Sequence, residues 1–172
     1  MELWELAARE AVRDLIARYN RYGDTARFDE MVEVFAPDAV MDMDGEVVVE
    51  GRDNIRAAFG EVGAGFKADS RAHIDAASPP GVESKVRPHL RHCTATTHIE
   101  VLSPTEARAR SYYFVLTAHG LDHWGRYVDE CREIDGRWYI THRKEMIDAC
   151  LEGSWAATTE ISQPYIVRGL GF

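Results

Sequence analysis

Apolar residues at Leu3, Leu6, Ala7, Ala11, Leu15, Ile16 and Tyr19 keep to one side of a helix of period 3.6, and Gly23 ends it. Phe28, Met31, Val32 and Phe35 repeat the helical pattern, and Pro37, which lacks an N–H, is expected to stop this second helix. From Asp38 the period changes. The runs AVMDM and EVVVE flank Asp44-Gly45, which predicts a tight hairpin between two short strands. After Gly51, the shared face of Ile55, Ala58, Phe59 and Val62 predicts a third short helix. Residues 63–91 carry Gly63, Gly65, Pro79, Pro80, Gly81 and Pro88 and read as a long connection, a candidate lid.

Four extended stretches follow, over 92–102, 107–118, 124–134 and 138–147, with breaks short enough for antiparallel neighbours. Helices first and strands afterwards predict an α+β domain over 1–150, a curved antiparallel or mixed sheet wrapped around the N-terminal helices. The tail, 151–172, holds Trp155, Tyr165, Ile166, Val167, Leu170 and Phe172, too apolar to float free. It is expected to pack at a subunit interface, with a tail folded back on its own domain as the alternative.

Composition narrows the function classes. The chain has 172 residues, of which 45% are hydrophobic, enough for one domain with a real core. Its 20 Lys and Arg against 29 Asp and Glu leave a formal charge of −9, the wrong sign for coating nucleic acid phosphates. No window approaches the ~18 unbroken apolar residues of a membrane span, and MELWELAARE has no apolar run of the secretory kind, so a cytoplasmic protein is expected. Cys93, Cys131 and Cys150 are odd in number and form no C-x-x-C pair, and read as reduced packing residues.

Alternation on the third of the late strands groups Tyr127, Asp129 and Cys131 on the face expected to look inward, and an Asp there must be paired or used. On the last strand it groups Tyr139, Thr141 and Arg143 against Trp138, Ile140 and His142. Phe66, Tyr112, Tyr113, Trp124 and Tyr127 offer aromatic walls to a ligand. The close histidines His89 and His92, and His119 and His123, lack the helical spacing of a zinc pair, so no metal is expected. Neither a phosphate-binding glycine loop nor a nucleophile elbow is present, and a cofactor-free mechanism is expected.

The segments FDEMVEVFAPDAVMDMDG, EGRDNIRAAF and IDGRWYITHRK resemble the SnoaL-like branch of the nuclear transport factor 2 superfamily, over about residues 5–147. The resemblance implies a cone with a deep pocket, and a family that includes dehydratases, a dehydrochlorinase, epoxide hydrolases, isomerases and non-catalytic binders. In its dehydratases an Asp after the first helix and a His opening the strand after the long connection form an orienting pair. Asp24 and His92 stand at those positions. Histidine titrates near neutral pH, and a carboxylate can fix its tautomer and stabilise its imidazolium. Tyr19, five residues before Asp24, resembles a third catalytic member able to polarise a carbonyl or assist a leaving hydroxyl. Gly23 and Met43 stand where scytalone dehydratase has tyrosines, so that carbonyl-polarising arrangement is not reproduced. The resemblance further implies pocket roles for Arg143, as a cation near the cavity, and for His119, at its rim.

The leading expectation is a lyase: His92 removes a proton alpha to a carbonyl of a small, mostly apolar hydroxylated substrate of polyketide, steroid or terpenoid type. The protonated ring then returns its proton to the leaving hydroxyl. Tyr113, Tyr127, Asp129, Arg143, His119 and Met43 are the expected substrate contacts. An isomerase would use the same residues, a ligand-binding protein of the same fold is the alternative from another class, and an epoxide hydrolase built on Asp42, Asp129 and Arg143 ranks third. Family members assemble as dimers or trimers, so a homodimer or homotrimer is expected.

Overall fold

The computed structural model describes residues 1–44, 47–76, 85, 87–158 and 165–168. Helix α1 (Leu3–Gly23) buries Ala8, Val12, Leu15, Ile16, Tyr19 and Asn20, a stripe at spacings of three and four, while Leu3 and Leu6 ahead of it are exposed. Helix α2 (Phe28–Val32) is shorter than its pattern suggests, because Phe35 opens strand β1 (Phe35–Met43) instead. Pro37 lies inside that strand, where the register against the last long strand breaks between Phe35 and Val40, a place that tolerates a missing N–H. Strand β2 (Val47–Glu50) returns antiparallel with Met43 opposite Val47, and Asp44 takes a positive φ of 54°, as a tight hairpin requires. Gly45 of the expected turn lies outside the described residues.

The third helix is not short. Helix α3 runs from Arg52 to Ala76, so the connection expected over 63–91 begins only after Ala76, and residues 77–84 and 86 of it lie outside the description. Gly60, Gly63 and Gly65 each cost a helix up to about 1 kcal/mol, yet Ile55, Phe66, Ser70 and Ile74 are buried along one face and hold it together. Gly63 also serves the packing: a Cβ there would meet the ring of Phe28.

Strands β3 (Arg91–Ser103), β4 (Glu106–Thr117), β5 (Gly120–Ile134) and β6 (Arg137–Leu151) form an antiparallel meander. The sheet order is β2-β1-β6-β5-β4-β3, with β1 parallel to β6, and a short β7 (Tyr165–Val167) parallel to the end of β6. The result is the expected α+β fold, a mixed sheet whose inner face packs on α1 and α3. The described part of the tail docks on its own chain: a 3-10 turn over Ala156–Thr158 leads to β7, where Tyr165 faces Ala149. On the outer face Tyr112, Phe114 and Leu116 stay exposed, the apolar positions that an oligomer would bury.

Bulges decide which side chains meet the helices. From His123 onward strand β5 alternates, burying His123, Gly125, Tyr127, Asp129 and Cys131, whereas Asp122 before it is buried as well, at a register shift against β4. Its partner does not. Glu130 faces His142 but Cys131 faces Ile140, so Thr141 is an extra residue; Trp124 faces Ala149 but Gly125 faces Ile147, so Asp148 is another. Each extra residue reverses the phase of β6, which buries both Ile140 and Arg143 and separates Thr141 from the group that strict alternation gave it. Between the two bulges Arg143, Glu145 and Ile147 share the inner face. Gly125, opposite the second bulge, admits no side chain, since a Cβ would overlap the Met146 carbonyl and crowd the Tyr113 hydroxyl.

Candidate active site

The inner face of the sheet and the three helices enclose a cavity of about 590 Å³. Phe28, Met31, Met43, Phe59, Phe66 and Trp155 make most of its wall apolar, and the described end of the long connection, Arg87 to Leu90, closes one side. Lys67 and Arg71 of α3, with Arg87 and His89 of the connection, also line it, and carboxylate-bound groups enter from the sheet side at three places.

The first is the Asp24 and His92 pair. Asp24 is the residue that ends α1, its N–H donating to the Asn20 carbonyl at 2.9 Å, so its carboxylate leaves the helix where β3 begins. There it accepts the backbone N–H of His92 at 3.1 and 3.2 Å, and lies 2.6 Å from His92 Nδ1, whose N–H donates to it. One carboxylate therefore fixes both the strand end and the ring, which leaves Nε2 as the free basic nitrogen on the cavity wall. Asn20 ties the same region down, its amide donating to Thr94 Oγ1 and its carbonyl oxygen accepting the Tyr127 hydroxyl at 3.4 Å.

The second is Glu145, whose two carboxylate oxygens accept the hydroxyls of Tyr19 at 3.4 Å and Tyr113 at 3.2 Å. Burial, then the negative charge of Glu145, pushes both phenols well above their ordinary range, so they stay protonated donors. Tyr19 lines the cavity beside Glu145 and makes no hydrogen bond to Asp24 or His92 among the described residues. It is a wall residue on the carboxylate's side.

The third is His123 with Asp122. His123 Nδ1 lies 2.8 Å from Asp122 Oδ2, and the same carboxylate accepts the backbone N–H of Trp155 at 2.9 Å and of Ala156 at 3.2 Å. Burial pushes the Asp122 carboxyl up, but hydrogen bonds from His123 and Trp155, the charge of His123 and the Ala156 N–H together hold it below its ordinary 3.8. The stability this lends is complete above pH 3.8 and is lost as pH falls through the lower folded value. Asp122→Asn should lower stability by about 2 kcal/mol at pH 7 and flatten the acid limb of the stability curve. Thermal melts of both chains from pH 7 to about pH 2 test this, and parallel curves would contradict it.

The other expected contacts lie elsewhere. Asp129 and Arg143 are fully buried and form a two-pronged ion pair, Nε at 2.7 Å and Nη2 at 2.8 Å, behind the cavity wall. The guanidinium carbon sits 4.1 Å from the Tyr19 ring centre and 4.3 Å from that of Tyr127. Asp129, expected to face a ligand, faces its cation instead, and since Asp42, Asp129 and Arg143 all lie outside the cavity lining, the epoxide hydrolase set does not stand in the cavity. Tyr127, stacked on Tyr113 at 4.4 Å, lies in the layer behind the cavity. His119 is exposed at the β4–β5 turn, outside the lining. Met43 does line the cavity. Among the described residues no three His, Cys, Asp or Glu side chains gather as metal ligands, and no helix is long and apolar enough to cross a membrane.

Residues 4–144 match the family model of the SnoaL-like domain. The chain belongs to that family. No curated protein sequence matches it. A SnoaL-like chain of this kind has structural neighbours across the cystatin-like cone fold. A scytalone dehydratase-like protein of Novosphingobium aromaticivorans DSM 12444 superimposes with a TM-score of 0.67 at 18% identity, covering 86% of this chain and 88% of its own. The hexachlorocyclohexane dehydrochlorinase LinA-type3 of Novosphingobium barchaimii LL02 gives 0.67 at 14% identity, covering 87% and 92%. An NTF2-like protein with a cystatin-like fold from Novosphingobium aromaticivorans gives 0.63 at 23%, covering 91% and 94%. At these identities the likeness is one of fold.

Three polar or aromatic cavity residues of this SnoaL-like domain escaped the sequence argument. His123 shares the parity of Tyr127 and Asp129, so extending the alternation four residues upstream would have found it. Glu145 stands two beyond Arg143 on the same face. Trp155 carried no signal, since its place depends on the turn that brings the tail back to Asp122.

Proposed function

We propose that this protein is a cofactor-independent lyase that removes water from a small, mostly apolar β-hydroxy carbonyl compound, with His92 as the base and Asp24 as its positioning partner. The observation that carries this reading is the 2.6 Å approach of His92 Nδ1 to Asp24 on the wall of a cavity otherwise rich in apolar side chains. His92 Nε2 takes the proton alpha to the carbonyl, the electron pair becomes the new C=C bond, and the C–O bond breaks as its oxygen takes up a proton from an acid of the site and leaves as water. The Asp24 carboxylate keeps Nδ1 protonated, so Nε2 is the nitrogen that reacts, and stabilises the imidazolium that forms. The apolar walls supply burial for a carbon skeleton, and Tyr19 lies on the wall with its hydroxyl donating to Glu145.

The test uses the aldol of benzaldehyde and acetone, together with fused-ring β-hydroxy ketones, followed at the enone absorbance. Catalysed release of benzylideneacetone, or of the fused-ring enone, is the expected result. Exchange of the alpha hydrogens into D₂O without loss of water would move the assignment to an isomerase. Saturable binding of these ketones with neither reaction would make the chain a binding protein.

A further inference from the structure

We infer that His123, held by Asp122, is the general acid of this elimination, so that the site works with two histidines, one that takes a proton and one that gives it. The inference rests on the lyase reading and adds to it the source of the proton that leaves with the hydroxyl.

Two imidazoles stand in the one cavity, each with Nδ1 directed at its own carboxylate, His92 at Asp24 and His123 at Asp122. Among the described residues Nε2 of each ring has no protein hydrogen bond, so both present that nitrogen to a ligand. Their ring centres are 6.4 Å apart, and the two rings stand nearly perpendicular, at 81°. Rings this close stand side by side on one wall, so a single molecule in the cavity can offer a C–H to one Nε2 and, from the next carbon, a hydroxyl to the other. Tyr113 completes the triangle, its ring 5.9 Å from His92 and 6.0 Å from His123.

Anchoring and burial set His123 apart from His92. Asp122, itself held by two backbone N–H groups of the tail, fixes the Nδ1 side of the ring and leaves Nε2 to face a ligand. The side chain of His123 is 3% exposed and that of His92 19%, so the base is the ring that solvent reaches more readily to remove the acquired proton, and the more enclosed ring is left to serve the leaving oxygen. Trp155 packs beside the buried ring, 6.2 Å from His123 and edge-on to Phe66 of α3 at 5.4 Å.

The step balances. The alpha C–H bond breaks and its proton goes to His92 Nε2; its electron pair forms the C=C bond; the C–O bond breaks toward oxygen, which takes the proton of His123 Nε2 and leaves as water. One turnover ends with His92 protonated and His123 neutral. Loss of the His92 proton to solvent and uptake of one by His123 restore the start. A single histidine serving both atoms is thereby replaced by two, each fixed by its own carboxylate.

The experiment compares two leaving groups, one that needs a proton and one that does not. The probes are the benzaldehyde–acetone aldol and its acetate ester, with elimination from both read as benzylideneacetone. The wild-type chain should act on both. His123→Ala should lose about a hundredfold or more on the alcohol and stay within about threefold on the acetate, whose carboxylate leaves unassisted. His92→Ala should lose both. His123→Gln, which fills the same space without an acidic proton, should repeat the His123→Ala pattern. Activity of the His123→Ala chain on the acetate doubles as proof that its site is folded. Equal losses on both probes in both His123 variants, or no loss on the alcohol, would overturn this inference and leave the lyase reading standing. A wild-type chain inert toward both probes would overturn the lyase reading, and the acid role with it.

Discussion

His92→Ala should lower turnover on a β-hydroxy ketone by at least about a hundredfold while leaving the melting temperature within a few degrees of wild type. The two halves follow from different features of one residue. The ring supplies the base, and the carboxylate that ends α1 holds it by Nδ1 on the cavity wall. The backbone N–H of His92 donates to both oxygens of Asp24 whatever side chain the position carries, so the junction of α1 with β3 survives. Asp24→Asn should behave in the opposite proportion. The base persists, and the loss in turnover is smaller than for His92→Ala. The amide cannot accept two N–H groups with the strength of a carboxylate, so the melting temperature falls further. Rates and melts of the two variants, measured side by side, check both statements. Full activity in His92→Ala would transfer the base to Glu145, the other carboxylate on the cavity wall. Charge alone would have named Asp129 as the reserve, but Asp129 is occupied by Arg143.

How far the chain could be read in advance depended on the kind of periodicity each residue obeys. Asp24 and His92 were legible through the family resemblance, which carries over by position because both stand at element boundaries, where Gly23 closes one helix and the long connection gives way to a strand. Tyr127, Asp129 and Cys131 were legible because β5 alternates without a break from His123 onward. Glu145 obeys the same rule, two beyond Arg143 with no bulge between them; what the pattern of β6 hides is that extra residues at Thr141 and Asp148 set where that inner face begins and ends, since a bulge leaves no mark in the hydrophobic pattern of its own strand. The length of α3 was hidden for a related reason. Glycines at 60, 63 and 65 argue locally against a helix, and the burial of Phe66 and Ile74 that outweighs them exists only in the folded chain, where Phe66 meets Trp155 of the tail. Arg143 was singled out as a cation near the pocket, but its destination depends on Asp129 facing it across the β5–β6 ladder, a register that the bulge at Thr141 sets.

That pair carries the largest stability effect expected from a single substitution. Asp129 and Arg143 are both 0% exposed, and the guanidinium makes two hydrogen bonds to the carboxylate while lying against Tyr19 and Tyr127. Desolvation works against the charge on Arg143, yet the carboxylate beside it more than compensates and keeps the guanidinium firmly protonated. Arg143→Met leaves Asp129 buried without a partner, and Asp129→Leu does the same to the cation, so each should cost about 3–5 kcal/mol. Against the 5–15 kcal/mol that typically holds a domain of this size, either single variant should be close to unfolding at 37 °C. The double variant should recover most of the loss, because two apolar side chains leave no buried charge, and nothing in the pair touches the cavity directly. Tyr19, however, would lose the cation against its ring, so the double variant should refold with a disturbed wall beside Glu145 and a raised KM. Urea denaturation of the two single variants and the double variant, set in one cycle, reads the coupling. Single variants within about 1 kcal/mol of wild type, or a double variant no more stable than the sum of the singles, would contradict the account of a pair whose members are costly alone and nearly neutral together.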